Sequence, residues 1–295
     1  MNTNNPHINN YDLQRLAKLT PKLKDYIFVN QYKVETIDFA NPEAVKTLNK
    51  ALIKSYYDID YWEFSNAHLC PPIPSRVDYL HEINDVLKIN KLNDKATVLD
   101  IGTGATLIYP LLGQKAFGWN FIATDTDKDS LKNATKIIEK NKLGHAISLR
   151  TQDNPAHILQ NVLKPEEKVT VAISNPPFYK DEASAIKATQ KKWRGLKLDP
   201  NTGRNFSGKA NELWYDGGEK AFIQNYIYDS SLIKTNVAWF TTLVSDKDLL
   251  RPMKVVLKKY EPEQVKVIKM TLGKKTSHML LWTYLKEDAL NSFKL

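Results

Sequence analysis

Asn175, Pro176, Pro177 and Phe178 follow the apolar run "VAIS" with one amide, two rings and an aromatic face. Neither proline offers a backbone N–H, so the loop is stiff and its carbonyls stay free to accept. An exocyclic adenine amine is a poor nucleophile because its lone pair is delocalised into the ring. Two acceptors aimed at its hydrogens would bind harder as charge builds on a nitrogen turning tetrahedral. The Asn175 side-chain oxygen and the Pro176 carbonyl are such a pair, with Pro177 locking the turn and Phe178 offering a stacking face. Methyl transfer to that nitrogen asks for in-line placement rather than a strong base. An isolated Asn-Pro-Pro is an ordinary strand-ending turn, so this chemistry requires a cofactor loop elsewhere in the chain.

"VLDIGTGA" supplies one, with Asp100 closing an apolar run and Gly102 and Gly104 directly after it. By itself a GxG is a tight strand-to-helix turn. A dinucleotide loop needs a third small residue at position 107, where Leu107 stands, because a pyrophosphate must lie close on the helix N-terminus. S-adenosylmethionine carries no phosphate and tolerates Leu107. Asp125 ends the next apolar run, "FIATD", where an acid can take both ribose hydroxyls or cap a helix. The glycine turn and the downstream Asn-Pro-Pro-Phe together favour an adenosine-containing cofactor.

The elements that must position these loops follow a repeating pattern. "ATVLD", "FIATD", "HAISLR" and "VTVAIS" predict four strands separated by helical stretches, hence a parallel sheet with right-handed crossovers. "GGEKAFIQNYIYDSSL" predicts a helix, "VAWFTTLV" a strand, and "DKDLLRPMKVVLKKY" a helix with Pro252 in its first turns. "QVKVIKMTLGKKTSHMLLWTYL" predicts an antiparallel hairpin around a Gly-Lys turn. A parallel sheet closed by an antiparallel strand is the α/β, Rossmann-like layout of class I methyltransferases. Upstream, residues 1–90 predict a helical extension joined by turns, leaving 91–295 for the methyltransferase domain with a basic insertion at 180–216. Asn41 and Pro42 form an N-cap with proline at the first helical position, and Ser75 and Asp78 have capping-box spacing.

Composition narrows the partners. The chain has 295 residues, 42% hydrophobic and 25% charged, which is globular. With no long apolar stretch and a polar first twenty residues, neither a membrane span nor a signal peptide is expected. The single cysteine, Cys70, permits no internal disulfide and fits the cytoplasm, and six histidines without ligand spacing predict no metal site. The net charge is +9, and its placement matters more than its size. Lys187, Lys191, Lys192, Arg194, Lys197, Arg204 and Lys209 face only Asp199 in their window, with Trp193 and Phe206 interleaved. Charge runs are usually solvated faces. Directly after a target-base loop, this one is expected to clamp an RNA backbone.

Five segments carry a family resemblance: "NPPF", "DIGTGA", "LCPPIPSRVDYLH", "IDFANPEAVKTLN" and "ELWYDGGE". Together they resemble the ribosomal RNA large subunit methyltransferase F family, over nearly the whole chain. "NPPF" is shared by many N6-adenine and glutamine methyltransferases, whereas "CPPIPSRVDY" and "ELWYDGGE" are far more family-specific. The family methylates N6 of one adenine in 23S ribosomal RNA and is related to methyltransferase-like protein 16 of eukaryotes. The resemblance implies that Arg76 reaches the methionine carboxylate of the cofactor, that Gly102 and Thr106 line the glycine turn, and that Asp125 takes the ribose. It places the adenine contact near Asn154 in "RTQDNPA" and matches Asn175 to Phe178 with the target-base loop. Two further functions share the motif: N6-adenine methylation of another RNA or of DNA, and methylation of a protein glutamine. A catalytically idle RNA-binding assembly factor is the non-enzyme alternative, opposed by the intact Asp100, Gly102, Asp125 and Asn-Pro-Pro-Phe.

Overall fold

The computed structural model describes residues 1–66, 68–185, 213–273 and 275–295. Its first helix, α1 (Leu13–Leu19), starts on Asp12, whose carboxylate accepts from the Arg15 N–H. A 3₁₀ turn, Pro21–Tyr26, then leads into β1 (Ile27–Val29) and β2 (Glu35–Ile37), an antiparallel pair. This hairpin corrects the expectation of helices and turns alone in residues 1–90. Only Ile37 of its strands is buried, so it has no alternating apolar face to betray it. Helix α2 (Pro42–Tyr57) begins as expected, with Asn41 Oδ1 accepting from the N–H groups of Glu43 at 3.0 Å and Ala44 at 3.3 Å.

Helix α3 (Ile73–Ile89) begins two residues before Ser75, so the expected capping box does not form. Pro74 sits in its first two positions and has no N–H to cap. The Ser75 hydroxyl instead donates to the Pro72 carbonyl at 3.1 Å. Asp78 is buried and straps down the chain start, accepting from the Asn2 N–H at 2.7 Å and from Asn5 Nδ2 at 3.2 Å.

The alternating region runs β3 (Thr97–Ile101), α4 (Ile108–Phe117), β4 (Asn120–Asp125), α5 (Lys128–Lys140), β5 (Ile147–Thr151) and β6 (Val169–Ser174). After the undescribed stretch come α6 (Gly218–Leu232), β7 (Val237–Val244), α7 (Leu250–Tyr260), β8 (Gln264–Leu272), β9 (Lys275–Thr283) and α8 (Glu287–Asn291). Seven strands form one sheet in the order β5-β4-β3-β6-β7-β9-β8. The first five in that order are parallel, and β9 runs antiparallel to both β7 and β8. This is the expected class I layout. The order reverses between β3 and β6, so the loops leaving their C-terminal ends diverge and open a crevice.

Alternate strand residues feed two separate apolar layers. Val98, Phe121 and Val171 pack in a cluster with Leu80, Leu111 and Ile137, whereas Leu99, Ile122 and Ala172 pack with Ile223, Tyr226, Met253 and Leu257. Leu16, Leu52, Trp62 and Tyr79 from residues 1–90 lie in the first cluster, so the N-terminal helices share the sheet's own core. Each such side chain contributes about 1.5–3 kcal/mol on full burial. Among the described residues, no helix is long and apolar enough to cross a membrane.

Candidate active site

The glycine turn is bolted to the neighbouring strand. Gly102 and Thr103 both donate their N–H groups to the Thr124 carbonyl at 2.9 Å, and Gly104 donates to Asp125 Oδ2 at 2.8 Å. Three successive amides can point this way only if the backbone turns left-handed, with φ of +71° at Gly102 and +65° at Gly104. Leu107 is also left-handed, at φ +51°, and its side chain is fully buried, so α4 starts without the third small residue. Trp62 Nε1 donates to the carbonyl of buried Thr106 at 2.8 Å and Asn133 Nδ2 to that of Ala105 at 2.7 Å, fixing the far end of the turn.

Asp125 is not the cap of α5. Asp127 caps it, accepting from the Asp129 N–H at 3.1 Å. Asp125 Oδ1 accepts from the Asp127 N–H at 2.9 Å, so its carboxylate is fixed at the strand end by amides from both sides.

Behind the turn lies Asp100, only 1% exposed, with neither oxygen hydrogen-bonded among the described residues. Burial pushes its carboxyl up to about 7. The Thr103 hydroxyl, close by without completing a hydrogen bond, favours the charged form; Asp125 opposes it and Arg76 favours it. Thr103 Oγ1, the Tyr109 hydroxyl and Ser174 Oγ are likewise buried without a partner among the described residues. Arg76 of α3 stands over the Tyr109 ring, 5.6 Å from its centroid. Buried polar atoms are ordinarily paired, so this cluster fits a ligand carrying both donors and acceptors. An amino-acid end fits it, with a carboxylate for Arg76 and an ammonium for Asp100.

The second loop leaves β6 directly beside β3, where Ile101 pairs with Ser174. Pro176 is buried, Asn175 and Pro177 are half-buried, and the Phe178 ring is 42% exposed. No hydrogen bond holds the Asn175 side chain among the described residues, leaving its oxygen available. Residues 213–219 brace this loop. Tyr179 donates to the Leu213 carbonyl at 2.9 Å and accepts from the Tyr215 N–H at 3.0 Å, in a parallel bridge opposite Trp214. Gly218, at φ +72°, lies against Lys180; a Cβ there would sit 3.3 Å from the Lys180 Cα. Buried Glu219 follows and accepts from both the N–H and the hydroxyl of Ser245. Among the described residues, no His, Cys, Asp or Glu group of three or more could hold a metal ion.

A family model described as RNA methyltransferase matches residues 1–286. The chain belongs to this RNA methyltransferase family. Ribosomal RNA large subunit methyltransferase F of Flavobacterium johnsoniae is 44% identical over 300 residues, covering 98% of this chain and 95% of that one. The enzyme of the same name from Pseudomonas syringae pv. syringae is 43% identical, covering 95% and 88%. The family resemblance carried by the sequence motifs is thereby borne out. Among solved structures, the hMettl16 catalytic domain in complex with MAT2A 3′UTR hairpin 6 superposes with a TM-score of 0.81 at 26% identity, over 97% of this chain and 98% of that one. The N-terminal domain of human METTL16 in complex with SAH gives 0.77 at 26% identity, over 97% and 99%.

In this RNA methyltransferase, Arg76, Asp100, Gly102, Gly104, Thr106, Asp125 and Asn175 to Phe178 all fall at the crevice edge of β3, β4 and β6 and the facing helix. Asn154 lies one strand further out, in an exposed turn after β5 where its Oδ1 accepts from the Ala156 N–H at 3.0 Å. Gln152 beside it donates to the Asp125 carbonyl at 2.9 Å, tying that turn to the same edge. Lys187, Lys191, Lys192, Trp193, Arg194, Lys197, Arg204 and Lys209 lie outside the described residues. Sequence reasoning missed Thr103, Tyr109, Ser174 and Tyr79. Tyr79 joins its hydroxyl to Thr241 Oγ1 of β7 at 2.7 Å and reaches the Ser174 carbonyl at the end of β6 at 3.5 Å. Its signal was present: it follows Arg76 by three residues, on the same helix face.

Proposed function

We propose that this enzyme uses S-adenosylmethionine to methylate the exocyclic N6 of one adenine in 23S ribosomal RNA, in the cytoplasm. The observation that carries this reading is the placement of the Asn-Pro-Pro-Phe loop at the end of β6, immediately beside the buried polar cluster around Asp100 of β3, which has no hydrogen-bond partner among the described residues. When bound, the cofactor supplies a methyl group on a sulfonium. Arg76 takes its carboxylate and Asp100 its ammonium, while Gly102, Gly104 and Thr106 shape the turn around it. Asp125, fixed at the end of β4, accepts from the ribose hydroxyls, and Asn154 meets the adenine ring. Asn175 Oδ1 and the Pro176 carbonyl accept the two N6 hydrogens of the target base, and Phe178 stacks on its face. Pro177 holds that geometry. The window from Lys187 to Lys209 clamps the phosphate backbone and keeps the target adenine out of its stack.

The relatives named methyltransferase F, at 44% and 43% identity, support the ribosomal substrate over DNA or a protein glutamine. Nucleoside mass spectrometry tests it, after incubation of the purified protein with the cofactor and 23S fragments, matching DNA, or a glutamine peptide. N6-methyladenosine in the RNA alone is expected. Equal methylation of the DNA, or a methylated glutamine, overturns the reading.

A further inference from the structure

The basic window at 187–209 does not hold all of the surplus charge. Between Lys247 and Lys259 there are five cations against the single acid Asp248. Those two windows, net +6 and +4, together outweigh the +9 of the entire chain. The second one is α7 with the 3₁₀ turn before it. Lys247, Arg251, Lys254 and Lys258 recur at spacings of four, three and four, so they form one stripe along the helix. All four are exposed, and none forms an ion pair among the described residues. They line a shallow groove with Leu250 and Val255, and a second depression shares Lys254 and Lys258 and ends at Glu261, Pro262 and Val265, so the basic track stops at Lys258.

The stripe begins at the catalytic edge. Lys247 comes two residues after Ser245, which is held by Glu219, and Glu219 follows the Gly218 that lies on Lys180 just after the target-base loop. From there to Lys258 the helix advances about 1.5 Å per residue, roughly 16 Å in all, enough to meet several successive phosphates. A membrane is the other anionic surface that basic helices meet. Here Met253 and Leu257, the main apolar side of α7, are fully buried in the core, and beside the cations only Val255 is an exposed apolar side chain of the helix, too little to enter a bilayer. The geometry points to α7 as a second RNA-backbone track, which carries a stretch of the substrate away from the target-base loop. This inference rests on the RNA substrate proposed above.

The test compares two fourfold variants of the full chain. One carries Lys247→Gln, Arg251→Gln, Lys254→Gln and Lys258→Gln. The other carries Lys128→Gln, Lys132→Gln, Lys136→Gln and Lys140→Gln on α5, whose four lysines are half offset by Asp129 and Glu139, whereas α7 itself holds no acid. The α7 variant should flatten the plot of log RNA affinity against log salt by roughly 0.7 per lost contact for a single strand. It should also raise the KM for long 23S fragments, with kcat at saturating RNA and cofactor affinity unchanged. The α5 variant should change neither slope nor KM. An unchanged slope in the α7 variant, or equal flattening in both, overturns the track. So does binding of the wild type to phosphatidylserine vesicles that only the α7 variant loses while its RNA slope stays intact. A wild type that methylates no RNA would overturn the N6 reading instead, and the binding slopes would still decide the track.

Discussion

Two loops meet at the crevice between β3 and β6, and they are held by opposite means. The glycine turn is fixed by hydrogen bonds: three consecutive amides go to Thr124 and Asp125, and two carbonyls take Trp62 and Asn133. Among the described residues, the target-base loop has almost no hydrogen bonds of its own. Its stiffness is covalent, from Pro176 and Pro177, and its position is borrowed from residues 213–219 bridged to Tyr179. Each device suits its task. A cofactor cradle can spend its amides on the neighbouring strand because its ligand is recognised by buried side chains. A loop that must present acceptors to a base keeps its side-chain amide uncommitted.

If this division is right, the two loops can be broken separately. The largest effect should come from Asn175→Ala, which removes one acceptor at the site of developing charge. Turnover should fall by roughly 10²–10³, while calorimetry finds cofactor affinity unchanged. Near-normal turnover would mean the loop does not hold the base.

The mirror experiment is Asp125→Ala. Loss of charge-assisted bonds to ribose should weaken cofactor binding by on the order of 1.5–3 kcal/mol, and saturating cofactor should restore most of kcat. A kcat defect that cofactor cannot rescue would blur the distinction between the loops.

Gly218→Ala attacks the borrowed support. A side chain at φ +72°, with its Cβ 3.3 Å from the Lys180 Cα, costs about 1–3 kcal/mol and shifts the loop it braces. Thermal unfolding should move down and kcat should fall, with cofactor affinity intact. An unaltered kcat would show that residues 213–219 do not position the base.

The smallest effect is one of pH and sharpens the cofactor side. With its carboxyl raised to about 7, Asp100 is largely protonated below that pH in the free protein, and binding an ammonium must expel that proton. Cofactor affinity should therefore rise with pH between 6 and 8, by at most about tenfold per unit. Asp100→Asn should bind more weakly and flatten that dependence. An Asp100→Asn curve as steep as the wild type would assign the proton to another group.

Much of this was legible because the signals are local. The strands alternate between two apolar layers, so their period shows in the sequence, and Asn41 with Pro42 announces a helix start. The loops followed from residue types at strand ends. What escaped depends on distance. Ser75 and Asp78 mimicked a capping box because nothing local reveals that Asp78 is claimed by Asn2, 76 residues earlier. The hairpin at 27–37 buries too little to imprint a pattern. Thr103, Tyr109 and Ser174 join the site only because β3, α4 and β6 converge there, a convergence that no spacing encodes.

The central claim is that this chain places one methyl group on N6 of a 23S adenine through the Asn175 loop. The most direct measurement is position-resolved mass spectrometry of 23S ribosomal RNA from cells lacking the gene, complemented with wild type or Asn175→Ala. The account predicts one N6-methyladenosine that disappears without the gene, returns with the wild type and stays absent with Asn175→Ala. Unchanged N6-methyladenosine in 23S RNA without the gene, or its full return with Asn175→Ala, would contradict it.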